Sequence, residues 1–214
     1  MVDMNKINYD KQMQKAMASI PRGTKLLLHV CCAPCTTYCL TRLVEHFDVT
    51  LYYSNDNITD KHEWQKRLDE VSKLVDIVND NKFEVAPKFA VKLLVKSHDA
   101  NKFLSWASNK SDEKEGGSRC KDCYVMRLSD THAQATEMGF DYFATTLTVS
   151  PYKNAEWINQ IGYSLATDDG ARWLPTDFKK NDGYKTSVGL SNKYGLYRQH
   201  YCGCEYSKLE NDLR

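Results

Sequence analysis

Eight cysteines stand in this 214-residue sequence, and seven of them fall into three short groups. Cys31, Cys32 and Cys35 occupy "HVCCAPC", Cys120 and Cys123 occupy "RCKDC", and Cys202 and Cys204 occupy "YCGCEY". Thiolates are the ligands of tetrahedral zinc and of iron–sulfur clusters, and two from each of the first two groups supply the four that either centre needs. Spacing alone leaves the metal open. A chain of this length buries a core without covalent staples, so stability does not require these thiols to pair. Adjacent cysteines such as Cys31 and Cys32 also form a disulfide only with strained geometry. Cys39, the eighth, lies on the helix expected after "CCAPC" and reads as a small buried hydrophobe.

A second feature lies near the C-terminus. Between residues 171 and 200, Arg172, Lys179, Lys180, Lys185, Lys193 and Arg198 face only Asp177 and Asp182, although the whole chain carries a net charge of just +1. Trp173, Phe178, Tyr184, Tyr194, Tyr197 and Tyr201 are interleaved with or flank them. Aromatic faces stack on unpaired bases while Lys and Arg neutralise phosphates, a mixture suited to a single-stranded loop. A solvated basic face over an aromatic core has the same composition.

The elements that must position these groups alternate. "KLLLHV" (25–30) predicts a buried strand, and 36–47 the helix that follows, with Leu40, Leu43, Val44 and Phe47 on one face. A second strand is expected at 48–56, and then a helix that opens with Asp60 and Glu63 as a capping box and buries Trp64, Leu68, Val71, Leu74 and Val78. A short strand at "KFEVAP" and a helix within 91–107 come next, then an exposed loop at 108–119. A helix over 121–138 closed by Gly139 precedes a strand at 141–149. This alternation predicts an α/β fold with a mostly parallel sheet covered on both faces. In such sheets ligands gather at the carboxyl ends of strands, where "CCAPC" falls. Pro34 suits the first helical turn, whose partial positive charge favours thiolates at Cys32 and Cys35.

Composition is that of a soluble globular protein, 42% hydrophobic and 27% charged. Apolar runs fall short of a membrane span, and the start is too polar for a signal peptide, so a cytoplasmic protein without a membrane partner is expected. Residues 1–23 read as a tail or peripheral helix, and 24–214 as a single α/β catalytic domain.

"HVCCAPC", "GGSRCKDCYVMRL", "FATTLTVSPYKN" and "FKKNDGYKTSVGLSNKYGLYRQHYCGCEYS", in that order, resemble the cobalamin-independent epoxyqueuosine reductases from about Thr24 to Ser207. The resemblance implies a Rossmann-like sheet of the adenine nucleotide α-hydrolase class. It implies reduction of epoxyqueuosine to queuosine at the wobble position of the tRNAs for Asp, Asn, His and Tyr, with an unidentified electron donor. By motif, Cys31, Cys32, Cys120 and Cys123 match the ligands of a [4Fe-4S] cluster. Cys202 and Cys204, with Cys35, match either a redox-active dithiol or ligands of an additional iron ion beside the cluster. Lys153, Lys179, Lys180 and Arg198 are candidate tRNA contacts, and His29, Tyr152 and Lys153 candidate proton donors. Thr and Ser hydroxyls between Thr145 and Lys153 are suited to hold the cyclopentane diol or a phosphate. A zinc-stabilised RNA-binding module and a tRNA thiolation enzyme are the alternative readings.

Overall fold

A computed structural model describes residues 7–212; the first six residues of the expected N-terminal tail and the last two of the chain lie outside the described residues. Five strands form one sheet: β1 (Lys25–His29), β2 (Asp48–Tyr53), β3 (Lys92–Val95), β4 (Tyr142–Thr145) and β5 (Arg172–Trp173). All four pairings are parallel and the order is β3-β2-β1-β4-β5. The chain winds outward from β1 to β3, returns to β4 on the other side of β1, and winds outward again. The architecture is therefore Rossmann-like, with its topological switch between β1 and β4.

Strand alternation separates the core into two faces. Leu26, Leu28, Val49, Leu51, Tyr53, Tyr142 and Ala144 point into one layer. Helices α1 (Tyr9–Ser19), α2 (Ala33–Leu43) and α3 (Lys61–Asn79) contribute to that layer, and α7 (Gly183–Lys193) packs on the outside of α2. Leu27, Tyr52 and Phe143 point into the other, beneath α5 (Ser118–Glu137) and α6 (Ala155–Leu165). The predicted face of α2, Leu40, Leu43, Val44 and Phe47, is buried as expected. Helix α1 is docked, with Met13 in the core and Asp10 paired to Arg42 at 3.2 Å and accepting from Asn181 at 2.9 Å. Among the described residues no helix is long and apolar enough to cross a membrane.

Three expectations are corrected. "KFEVAP" is not a strand, and β3 forms within the stretch expected to be helical, which leaves α4 only Ala100–Ala107. The cause is local: Asn79 both donates to the Val91 carbonyl and accepts from its N–H, so the ladder starts at Lys92 opposite Thr50. β4 stops at Thr145, whose hydroxyl accepts from Leu147 N–H and starts a 3-10 turn. The capping box at α3 is half made. Asp60 accepts from His62 and Glu63 N–H, while the Glu63 carboxylate turns to Arg67 at 2.7 Å instead.

Arg67 stands on the apolar stripe of α3 and is 1% exposed. Its guanidinium donates to the carbonyls of Cys202 (2.9 Å) and Tyr201 (3.3 Å), tying the loop before α8 (Glu205–Asp212) to α3. Gly203 turns that loop with φ +128°, where a Cβ would meet Ile58 Cγ1 at 2.8 Å. Lysine offers one point charge in place of a planar fork, so Arg67→Lys is expected to cost about 2 kcal/mol. Arg67→Lys and Gly203→Ala are both expected to speed alkylation of Cys202 by iodoacetamide in metal-free protein. A control separates loosening of this loop from general destabilisation. Gly162→Ala puts a methyl into the Trp173 ring, which is pinned by its Nε1–H to Asn159, and overpacking of about 1–3 kcal/mol outweighs the helix propensity gained. It should lower the urea midpoint while leaving the Cys202 rate unchanged; equal rates in all three variants would refute the anchoring role.

Candidate metal and substrate site

The switch point sets where the chemistry can occur. At the end of β1, Cys32 is the N-cap of α2, Cys31 precedes it, and Pro34 sits in the first turn as expected. Helix α5 begins at Ser118, so Cys120 and Cys123 lie in its first two turns. The loop held by Arg67 delivers Cys202 and Cys204.

These segments meet in two adjoining cavities. A narrow inner one, about 20 Å³, is lined by Cys120, Cys123, Cys202 and Cys204 with Asn57 and Arg119. An outer cleft of about 330 Å³ is lined by Cys31, Cys35 and Cys202 with Tyr184, Arg198 and Gln199. Glu115, Arg127, Tyr152, Lys153 and Cys202 belong to both. Six cysteines line the two cavities and Cys32 lies against Cys31 and Cys35, while Cys39 is buried and bonds the Cys35 carbonyl, as its reading predicted. Cys31, Cys32 and Cys35 have their sulfurs within 4.8 Å of one another, close enough to share a metal ion.

Protonation in the trio differs from the expectation that the helix start favours thiolates at Cys32 and Cys35. Cys31 titrates well below the usual thiol range, because the Cys32 and Cys35 thiols hydrogen-bond to its sulfur, aided by Arg127 and Lys153. Burial and the hydrogen bond to Cys31 push Cys32 up to about 12, and hydrogen bonds with Cys31 and Cys32 hold Cys35 well above the usual range. One negative charge suppresses two more in a space this small. Burial likewise raises Cys123 and Cys204 to about 12. Metal ligation needs deprotonated thiols, so loading this site releases protons.

Two cations lie among the sulfurs, Arg127 buried and Lys153 half-buried. Arg127, 1% exposed, donates from Nε to His29 Nε2 (3.3 Å) and from its terminal nitrogen to Asn55 Oδ1 (2.7 Å). Burial opposes its charge, yet the thiols of Cys123, Cys31 and Cys202 outweigh that effect. Lys153 behaves alike: despite desolvation, Cys202 and Cys31 raise its pKa. Thiolate donors, counter-cations and the unpartnered buried Asn57 Oδ1 make a donor set that fits a thiolate-bound metal centre.

The proton-donor candidates separate. His29 lines neither cavity; its Nδ1 donates to Thr145 Oγ1 (2.8 Å), and since guanidinium is always a donor, Nε2 must accept from Arg127. Burial, then Arg127, lower its pKa to about 3, so it is a neutral brace between β1, β4 and α5 and no acid. Tyr152 is 73% exposed, and Lys153 is half-buried beside the thiols. Lys179 and Lys180 line a separate hollow of about 450 Å³ with Tyr9, Tyr152 and Lys153, and Lys179 is tied to Asp177 at 3.3 Å. Arg198 lies in the outer cleft, 6.0 Å from the ring of exposed Tyr184. Trp173 and Phe178 are in the core, Tyr194 packs on Phe83, and Tyr201 lies under Arg67. Of the interleaved aromatics, Tyr184 alone is exposed.

Arg67, Arg127, Arg119 and Glu115 are site residues that the spacing argument passed over. A signal existed for two. Arg127 follows Cys120 and Cys123 at helical spacing on the same face of α5, and Arg67 interrupts the apolar stripe of α3.

Comparison with known proteins shows the family. Residues 26–210 match the family model described as epoxyqueuosine reductase QueH. A protein of that name from Streptococcus pyogenes serotype M1 is 40% identical over 205 residues, covering 94% of this chain and 78% of its own. Another from Staphylococcus aureus is 38% identical over 213 residues, covering 97% and 87%. A third, from Thermotoga maritima, is 33% identical over 188 residues, covering 86% and 91%. With the thiol motifs, their order and nearly the whole chain in register, this protein belongs to the epoxyqueuosine reductase QueH family.

Proposed function

We propose that this protein reduces epoxyqueuosine to queuosine at the wobble position of tRNA. The observation that carries the reading is the convergence of seven cysteines from three distant segments, beside Arg127 and Lys153, at the switch point of the sheet in a chain of this family. In the reaction both C–O bonds of the epoxide break and a C=C bond forms. The oxygen leaves as water, and the balance requires two electrons and two protons.

Cys31, Cys32, Cys120 and Cys123 hold a [4Fe-4S] cluster in this reading, and Cys202 and Cys204, with Cys35, form either a redox dithiol or the ligands of an additional iron ion. The cluster supplies single electrons from an external reductant when bound, and the further iron would supply Lewis acidity. Lys153 keeps its proton and stabilises negative charge at the oxygen as it leaves. Arg127 balances the thiolates. The substrates are the tRNAs for Asp, Asn, His and Tyr; Arg198, Lys153, Lys179 and Lys180 contact their anticodon loops.

Anaerobic reconstitution with iron and sulfide, followed by incubation with epoxyqueuosine-containing tRNA and a strong reductant, tests the reaction. Nucleoside mass analysis is expected to show loss of one oxygen; a colourless zinc protein that leaves the nucleoside unchanged would sink the proposal. Cys120→Ser should bleach the visible absorption and abolish turnover, and full iron, sulfide and activity would refute this ligand set.

Cys204→Ser decides between the roles of the last pair. A dithiol predicts intact iron and lost turnover, whereas an iron ligand predicts one iron fewer per chain with the cluster spectrum preserved. Retention of both iron and activity would exclude both roles.

Alanine at Lys179 and Lys180 together should weaken tRNA binding. The slope of log affinity against log salt should flatten by roughly 0.7 for each phosphate left without its lysine. With Lys179 already paired to Asp177, most of this change is expected from Lys180. An unchanged slope would return these lysines to a solvated face.

A further inference from the structure

The substrate named above has a fixed order of parts. A 7-deazaguanine base carries a methylene, then a secondary amine, then the cyclopentane ring with its epoxide. A dialkylamine is protonated at neutral pH, as lysine is. The site has a matching order. The inner cavity is too narrow for a bicyclic base, whereas the outer cleft is wide enough for one. Enzymes that act on a base extrude it and read its edge by hydrogen bonds and stacking. The outer cleft has the means: exposed Tyr184, and Gln199, whose buried Oε1 has no hydrogen-bond partner and can accept from the N1–H of the base. Cys120, Cys123 and Cys204 line the inner cavity, Cys31 and Cys35 the outer cleft, and Cys202 both. A base in the outer cleft and an epoxide directed at Cys202 and the sulfurs of the inner cavity leave the linking ammonium where the two cavities meet.

The residues shared by the two cavities are Glu115, Arg127, Tyr152, Lys153 and Cys202. Arg127 and Lys153 repel an ammonium. Among the described lining residues of both cavities, Glu115 is the one carboxylate. It is also held in place: Ser207 Oγ donates to its Oε2 at 3.1 Å and itself accepts from the Cys202 N–H at 3.0 Å. Among the described residues no hydrogen bond is made to Glu115 Oε1. The carboxylate is therefore fixed beside the cysteine loop with one oxygen free.

Resting on the reductase reading, we infer that Glu115 is the specificity residue that binds the secondary ammonium between base and ring. It sets how far the substrate enters and selects bases bearing a cationic side chain over unmodified guanine.

Reconstituted holoenzyme tests this with Glu115→Gln, which keeps the shape and the hydrogen bond from Ser207 but removes the charge. KM for epoxyqueuosine-containing tRNA is expected to rise about tenfold or more, the usual loss for a charged hydrogen bond, with kcat, iron content and visible spectrum little changed. The free bases 7-aminomethyl-7-deazaguanine and 7-cyano-7-deazaguanine, as competitive inhibitors, read the charge directly. The wild-type protein should prefer the amine by about tenfold, Glu115→Gln should lose that preference, and Glu115→Asp should retain part of it. An unchanged KM or an unchanged preference in Glu115→Gln would overturn the inference, as would loss of iron, which would make the residue structural. Wild-type protein that fails to convert the tRNA defeats the reductase reading itself, so the two failures are distinguishable.

Discussion

Burying the Arg127 guanidinium with no carboxylate among its hydrogen-bond partners is the constraint on which this end of the molecule depends. Arg127 is enclosed, and its hydrogen-bond partners His29 and Asn55 are neutral. Lys153 is half-buried beside Cys202, Cys31 and Cys35. An unpaired buried cation is strongly destabilising, so these groups are tolerable only with negative sulfur nearby. The converse holds for the thiols: in an apolar wall each resists ionisation, and one deprotonates readily only where two others and two cations surround it. Cations and thiolates therefore stabilise one another, and a metal centre that draws further protons from the sulfurs strengthens the same pairing.

The sheet makes that juxtaposition possible. Parallel strands all end at the same edge, and the reversal of winding between β1 and β4 sends the connections after them to opposite faces of the sheet, which opens a crevice between them. Cys31 and Cys32 follow β1, the Thr146–Val149 turn follows β4, and α5 lays its first turns across the gap. His29 joins these parts by bonding Thr145 and receiving Arg127. The cysteine loop after residue 200 belongs to no strand and needs a separate tether, which Arg67 supplies from α3.

Charge then varies along the cleft. Arg198 and exposed Tyr184, suited to phosphate and base, line the larger cleft; a single carboxylate stands among the residues common to both cavities; and the smaller cavity sets sulfur against guanidinium. Such a gradient orients a substrate that is anionic at its backbone, cationic at its linker and reducible at its far end. Much of the basic, aromatic stretch serves the fold instead. Trp173 packs against Phe143, Phe178 fills the core, and Lys193 pairs with Glu84.

The sequence by itself determined the strand, helix, strand, helix opening, since period-2 and period-3.6 apolar patterns are local, and the glycine closure of α5 at Gly139, which takes φ +67°. It also determined the cysteine groups and the family, because motif spacing is local too. It placed the third strand too early, because the start of β3 depends on Asn79 bonding a residue twelve positions on, and it left open whether the aromatics of 173–201 stack on a ligand or fill the core, which distant partners decide. Which sulfurs face which cavity, which thiol ionises, and that His29 is a neutral brace were decided by tertiary structure alone. Protonation follows from the total field and burial at a point, and those are set by groups brought together from residues 31, 127, 153 and 202. Glu115 shows the same division: one acid among many in a charged loop by sequence, it becomes the anion at the junction of two cavities once the chain is folded.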